Sequence, residues 1–194
     1  MLFNKSKYRD INHSLIEECK KGKQKAQLEL YKLYYKAMFN AALRILNNDA
    51  DAEDVMQDSF IDAFTRIENY REEGSFGGWL KKIVINNALD LIRKQKPTTE
   101  INESVIGLTD DEEECVENDC RLEEIKEALK LIKDDYRIIL VLYLFEGYDY
   151  EEIGSILDIS YSLARTRYSR ARQSLLNKIN QIRAEREMRW AIRT

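Results

Sequence analysis

The sequence predicts an all-α protein: a small N-terminal helical bundle (1–97) and a small C-terminal helix-turn-helix domain (121–194), joined by an acidic linker (98–120). Composition is the first indication, since 194 residues with 44% hydrophobic content carry only one proline and seven glycines, a balance suited to packed helices. Periodicity is the second. Apolar residues recur at helical spacing in successive segments, and no alternating strand pattern competes with them. The third is a break in that periodicity at Pro97, where a basic run, Arg93-Lys94-Gln95-Lys96, gives way to a polar, acidic stretch that stays aperiodic to about Asp119.

The periodic segments place the elements in order. Upstream of Pro97 they cover Ile11 to Lys20, Gln24 to Leu46, Ala50 to Glu68 and Phe76 to Arg93; downstream they cover Arg121 to Ile132, Tyr136 to Phe145, Glu151 to Leu157 and Tyr161 to about Arg189. The third segment opens with Asp51, Glu53 and Asp54, acids that complement a helix N-terminus. Val55, Phe60, Ile61 and Phe64 are expected to supply its buried face. After the third segment, Asn69 to Trp79 forms a glycine-bearing loop that leads into the fourth. The linker contains too few apolar groups to offset the entropy of ordering, so it stays solvated; the other reading is an acidic mimic of nucleic acid, with Val105 to Leu108 as a weak anchor.

The last two segments read as a helix-turn-helix. Ile153, Ile156 and Leu157 point inward from the first helix, the turn falls at Asp158-Ile159-Ser160, and Ala164, Tyr168, Ala171 and Leu175 repeat at i, i+4, i+7 and i+11 along the second. That register leaves Tyr161, Ser162, Arg165, Thr166 and Ser169 on the opposite face, flanked by Arg167, Arg170 and Arg172, where cations and hydroxyls reach phosphates and base edges. Charge distribution agrees. The chain has a net charge of −4, but nine acids and no bases lie between Glu100 and Cys120; outside that stretch, 31 basic residues face 26 acidic ones. From Tyr161 to Thr194, nine Arg or Lys face two Glu, a footprint for a phosphate backbone.

Two further surfaces stand out. Asp54, Gln57 and Asp58, with Asp51 a turn earlier, form an acidic ridge suited to a basic protein partner. A metal there is disfavoured, because clustered carboxylates on one helix without histidine ordinarily face solvent. The following loop and helix combine Tyr70, Phe76 and Trp79 with Asn86 and the cations Lys81, Lys82, Arg93, Lys94 and Lys96. The rings are either core or the walls of a site for an unstacked base. Catalysis is not expected: the chain has a single histidine, His13, no nucleophile–base constellation and no phosphate-cradling glycine loop, so neither cofactor nor small-molecule substrate is expected. Cys19, Cys115 and Cys120 form no C-x-x-C pair, so reduced thiols are expected. No apolar run is long enough to cross a membrane and the first residues lack a signal-peptide core, so a cytoplasmic protein is expected.

Three blocks in order carry a family resemblance: the D-A-E-D-x-x-Q-D-x-F helix from Asp51 to Phe60, the F-x-x-W-L-x-x-I-x-x-N-x-x-x-D-x-x-R pattern from Phe76 to Arg93, and the Tyr150-Glu151-Glu152-Ile153-Gly154 entry leading to the arginine run from Arg165 to Arg172. They resemble the extracytoplasmic-function sigma factors, small two-domain promoter-recognition subunits of bacterial RNA polymerase. The resemblance implies that Asp51, Asp54, Gln57 and Asp58 bind the clamp helices of the polymerase β′ subunit. It implies that Phe76, Trp79, Asn86, Asp90 and Arg93 recognise the start-proximal (−10) promoter element as it melts. It further implies that Tyr161, Ser162, Arg165, Thr166, Ser169 and Arg170 read the distal (−35) element, with Arg167 on phosphate or in support of the fold. The linker would follow the RNA-exit path, and an anti-sigma factor is implied as a partner.

The chain departs from the family at Ser162-Leu163-Ala164, where Gly-Thr-Val is usual, and at Ile132-Lys133, where Leu-Pro is usual. Ser160 or Ser162 must then cap the recognition helix. The expected function is that of a non-catalytic transcription initiation factor. The alternatives are a stand-alone helix-turn-helix regulator with an N-terminal ligand or dimerisation domain, and a helical adaptor with no DNA role. The acidic ridge separates them, because only the sigma reading requires it to meet polymerase.

Overall fold

A computed structural model of the chain describes residues 10–95 and 122–191, with side chains to Trp190. Lys96, Pro97, the predicted linker, Cys115, Cys120 and the last residues of the basic tail lie outside the described residues. The chain divides into two compact units, Met1–Thr98 and Thr99–Thr194.

The first unit contains α1 (His13–Lys20), α2 (Gln24–Leu46), α3 (Asp49–Thr65), a 3-10 turn (Ile67–Asn69) and α4 (Phe76–Gln95). Local chemistry sets several of these boundaries. Gly22, at φ +75, closes α1 by donating its amide to the Cys19 carbonyl. Asn47 takes the left-handed conformation at the end of α2, and Asn48 caps α3 by accepting from the amides of Ala50 and Asp51. The first helix begins at His13 rather than Ile11, whose side chain is 95% exposed. Helices α2, α3 and α4 pack on one another around Leu30, Met38, Ile45, Phe60, Leu80 and Ile85. Tyr31 and Phe60 meet at 4.8 Å between ring centroids. Cys19 is a free thiol in this core, and burial pushes its pKa up to about 11, so the thiolate is suppressed.

One core assignment is overturned. Ile61, expected on the buried face of α3, is 64% exposed, Phe64 is half-buried, and the buried face consists of Ala52, Val55, Met56, Ser59, Phe60 and Ala63. The reason is that α3 packs against both α2 and α4, so its inward stripe follows small residues and a serine as well as large apolar ones. Ser59 is accommodated because its hydroxyl donates to the Val55 carbonyl at 2.6 Å and accepts from Asn87 Nδ2 of α4 at 3.1 Å.

The second unit contains α5 (Leu122–Leu131), α6 (Asp134–Leu144), α7 (Tyr150–Leu157) and α8 (Tyr161–Ala191). Helix α8 packs on α5, α6 and α7, burying Ala164, Ala171, Leu175, Ile179 and Ile182. Tyr168, Ile156 and Leu157, expected inside, are half-buried. Glu124 of α5 receives two hydrogen bonds from Arg183 of α8, at 2.7 and 3.1 Å. Arg137 is buried and paired with Asp134 one turn earlier at 2.7 Å. No helix among the described residues is long and apolar enough to cross a membrane.

Candidate nucleic-acid interface

The helix-turn-helix is assembled from α7, its turn and the start of α8. Asp149 caps α7 with its side chain on the amides of Glu151 and Glu152, and Glu152 reaches back to the Asp149 amide, completing a capping box. Helix α7 ends at Asp158 in the left-handed region (φ 57), and the Ile159 amide donates to the Gly154 carbonyl at 2.9 Å. The return path is so close that a Cβ on Gly154 would lie 2.8 Å from the Ile159 carbonyl oxygen. Ser160, not Ser162, caps α8: its hydroxyl accepts from the Leu163 amide at 3.2 Å.

Behind the start of α8 stands an aromatic cluster. Tyr143 lies 5.0 Å from Tyr150 and 4.4 Å from Tyr168, while Tyr150 meets the ring of Tyr161 edge-on at 5.9 Å. Tyr161 leans on this cluster and still presents 52% of its surface to solvent. Tyr161, Ser162, Arg165 and Ser169 form an exposed strip along α8, with Thr166 and Arg170 half-buried beside it. Arg167 is set apart: it is half-buried and its Nε is closed off from solvent. Arginines and hydroxyls on one exposed helix face, with a further cation at its edge, supply both phosphate and base-edge contacts.

In the first unit, Lys82, Asn86, Asp90 and Arg93 are exposed on α4, with Trp79 half-buried at the same face's N-terminal end; their spacing of three or four keeps them on one side. Asp90 and Arg93 pair at 2.9 Å. The neighbouring amide faces inward, Asn87 bonding Ser59 and Asp62 of α3 at 3.1 Å each. Phe76 does not belong to this surface. Its ring is 0% exposed, held among Tyr34, Tyr70 and Trp79 at centroid distances of 5.5 to 5.6 Å. A base has no face of it to stack on. Its expected contact with DNA is therefore corrected to support of the loop from within, and Tyr70 is buried as well.

The acidic ridge of α3 is present as exposed Asp54, Gln57 and Asp58, with Asp51 half-buried in the first turn. Ile61 continues it at i+7, i+4 and i+3 from Asp54, Gln57 and Asp58, adding an exposed apolar surface where helical periodicity predicts a core residue. Two glycine contacts also escape that periodicity. Gly154 is one, and Gly77 is the other: a Cβ there would lie 2.8 Å from Tyr34 Cε1. Nor does it reveal Asp10, buried with its carboxylate on the amides of Asn12 and Phe76. A motif reads neighbours along the chain, and these contacts join residues distant in it.

Among the described residues, His13, Glu17 and Glu72 bring potential metal-binding atoms within 4.8 Å of one another. These groups already have partners. His13 Nδ1 is 2.7 Å from Glu72, and the Lys20 ammonium sits 2.8 Å from Glu17, a hydrogen bond that lowers the pKa of that carboxyl. These hydrogen bonds account for the geometry.

The chain matches two family descriptions, Sigma-70 region 2 over residues 30–98 and Sigma-70, region 4 over residues 122–175. It is 28% identical over 179 residues to the ECF RNA polymerase sigma factor SigW of Bacillus subtilis, a similarity covering 86% of this chain and 96% of the relative. It is 32% identical over 152 residues to the ECF RNA polymerase sigma factor SigE of Mycolicibacterium smegmatis, covering 76% of this chain and 59% of the relative. In fold it is similar to the sigma factor RpoE solved in complex with the anti-sigma factor NepR from Bartonella quintana, with a TM-score of 0.54, 22% identity, and coverage of 78% of this chain and 95% of that one.

Proposed function

The chain belongs to the extracytoplasmic-function group of the sigma-70 family, and we propose on that footing that it binds core RNA polymerase and directs promoter-specific initiation with the surfaces described above. The observation that carries the proposal is the occurrence, in one chain and in order, of a region 2 unit and a region 4 unit, each bearing an exposed helical face of the chemistry its task needs. The chain is a DNA-binding regulator, and we assign it no catalysis of its own.

Each surface has a distinct role. Asp51, Asp54, Gln57 and Asp58 bind the β′ clamp helices, with Ile61 as an apolar contact in the same ridge. An acidic rim around an exposed aliphatic side chain suits a basic partner surface, because charge speeds encounter and burial of the apolar group slows escape. Trp79, Asn86, Asp90 and Arg93 read the start-proximal element once its strands part: the indole offers a stacking surface and Asn86 an amide that can both donate and accept. Tyr161, Ser162, Arg165, Thr166, Ser169 and Arg170 read the distal element in the major groove. Arg167 supports the recognition helix from its half-buried position. An anti-sigma factor that sequesters these surfaces is a further expected partner, and the cytoplasm, where polymerase works, is the expected compartment.

The test is reconstitution. The full chain is mixed with bacterial core polymerase and a promoter library, and polymerase binding and transcript start sites are measured. We expect a stable holoenzyme and transcripts starting at fixed positions downstream of a bipartite element. Absence of both would sink the assignment.

A further inference from the structure

The residues just before α1 are tied to the loop that leads into α4. Asp10 is only 3% exposed, although it carries a carboxylate, and burial of that kind requires its oxygens to be filled. Oδ1 accepts from the Asn12 amide at 2.7 Å and Oδ2 from the Phe76 amide at 2.7 Å. Phe76 is the first residue of α4, so Asp10 supplies, from 66 residues away, a carboxylate where that helix has an orphan donor and the positive end of its dipole. The Tyr70 hydroxyl shares its single proton between the Gly74 carbonyl at 2.6 Å and Asp10 Oδ2 at 3.3 Å. A second tie lies beside the first: His13 Nδ1 contacts Glu72 at 2.7 Å, and Glu72 is held at φ 56, a conformation a glutamate rarely keeps without support. Asn12 adds a hydrogen bond to the Tyr34 hydroxyl at 2.9 Å, and the ring of Tyr34 packs on Phe76 and closes the space beside Gly77.

These ties converge on a loop that leads into the first turn of α4, where Trp79 stands at the N-terminal end of the exposed face. We propose that Asp10 is a positioning residue for strand opening: it touches no DNA, and by fixing the Tyr70–Phe76 loop and the first turn of α4 it presets the surface on which Trp79 and Asn86 receive an unstacked base. The inference rests on the reading of that face as the start-proximal reader. The physical reason for presetting is entropic, since a loop ordered before encounter does not have to be ordered by the base it binds.

The experiment uses the full chain assembled with core polymerase. Asp10→Ala, Asp10→Asn, Tyr70→Phe and Asn86→Ala are compared with the parent for core affinity, for binding to duplex bearing only the distal element, and for binding to forked DNA whose start-proximal strand is already single. Asp10→Ala should weaken forked-DNA binding by roughly tenfold, the scale expected for losing a charged cap, with core and distal-duplex affinities unchanged. Asp10→Asn keeps one oxygen to accept from Phe76 but loses the charge and turns its amide nitrogen toward the Asn12 amide, a donor facing a donor, so it should recover only part of the loss. Tyr70→Phe keeps the ring in the core and should show a smaller loss in the same direction, which preserves the test if Asp10→Ala fails to fold. Unchanged forked-DNA binding in Asp10→Ala alongside a loss in Asn86→Ala would overturn the role of Asp10 alone. A uniform fall of all three affinities in Asp10→Ala and Tyr70→Phe would reduce Asp10 to a structural residue and also overturn it. No effect of Asn86→Ala on forked DNA would instead remove the underlying reading of the α4 face.

Discussion

Arg165 and Arg167 stand two positions apart on α8 and occupy different environments: Arg165 is exposed on the strip that carries Tyr161, Ser162 and Ser169, whereas Arg167 is half-buried with its Nε shielded. Helical geometry explains the split, because a step of two turns a side chain by more than half the circumference of the helix. Arg165 stands on the exposed strip, where its planar fork of donors faces the side a base edge would approach. Arg165→Ala should therefore cost about 1–3 kcal/mol of binding at a distal element containing guanine and relax the preference at that position. Holoenzyme binding to a panel of single-base variants of the distal element checks this; an equal loss on every sequence would assign Arg165 to phosphate.

At the level of elements, the turn between α7 and α8 is set less by its own residues than by how closely the chain returns. Gly154 lies inside α7, where glycine weakens a helix by roughly 1 kcal/mol relative to alanine. Propensity alone would favour Gly154→Ala. The Cβ would nevertheless lie 2.8 Å from the Ile159 carbonyl oxygen, a backbone atom with no flexible side chain to yield. Overpacking of this kind typically costs about 1–3 kcal/mol, and moving the Ile159 backbone also disturbs the amide that bonds Gly154 and the Ser160 cap beyond it. We expect the clash to win and Gly154→Ala to lower the unfolding midpoint of the second unit. Each unit contains one of the two tryptophans, Trp79 and Trp190. In a Trp190→Phe background, Trp79 fluorescence should then report an unshifted first unit while the circular dichroism transition moves to lower denaturant. An unchanged midpoint would show that the turn relaxes at little cost.

For the molecule as a whole, charge distribution governs how DNA is met. The recognition helix and its tail are basic, yet the whole chain is at −4 because acids dominate elsewhere, most densely between Glu100 and Cys120. Long-range attraction to a duplex depends on the summed field, and within a Debye length of about 8 Å at physiological salt the local arginines still act. The free chain should bind promoter duplex weakly and with little gain in specificity, and core polymerase should strengthen that binding by orders of magnitude. Fluorescence anisotropy of labelled promoter, titrated with chain alone and with holoenzyme across a salt series, measures both. Tight promoter-specific binding by the free chain would contradict this account.

What the sequence determined by itself was what repeats along a chain: helical periodicity, the order of the elements, the basic outer strip of α8 and the acidic ridge of α3. Each depends on neighbours within a turn or two, and their chemistry is set before the chain meets itself. Only the tertiary structure decided which aromatic side chains were walls and which were core, sending Phe76 inside and Ile61 outside. It also decided that Asn87 spans two helices while Asn86 faces solvent, that Gly77 and Gly154 mark close approaches, and that Asp10 caps a helix beginning 66 residues later. These outcomes follow from packing one helix against two others and from closing a loop onto a distant segment, and no local period encodes which partner will be there.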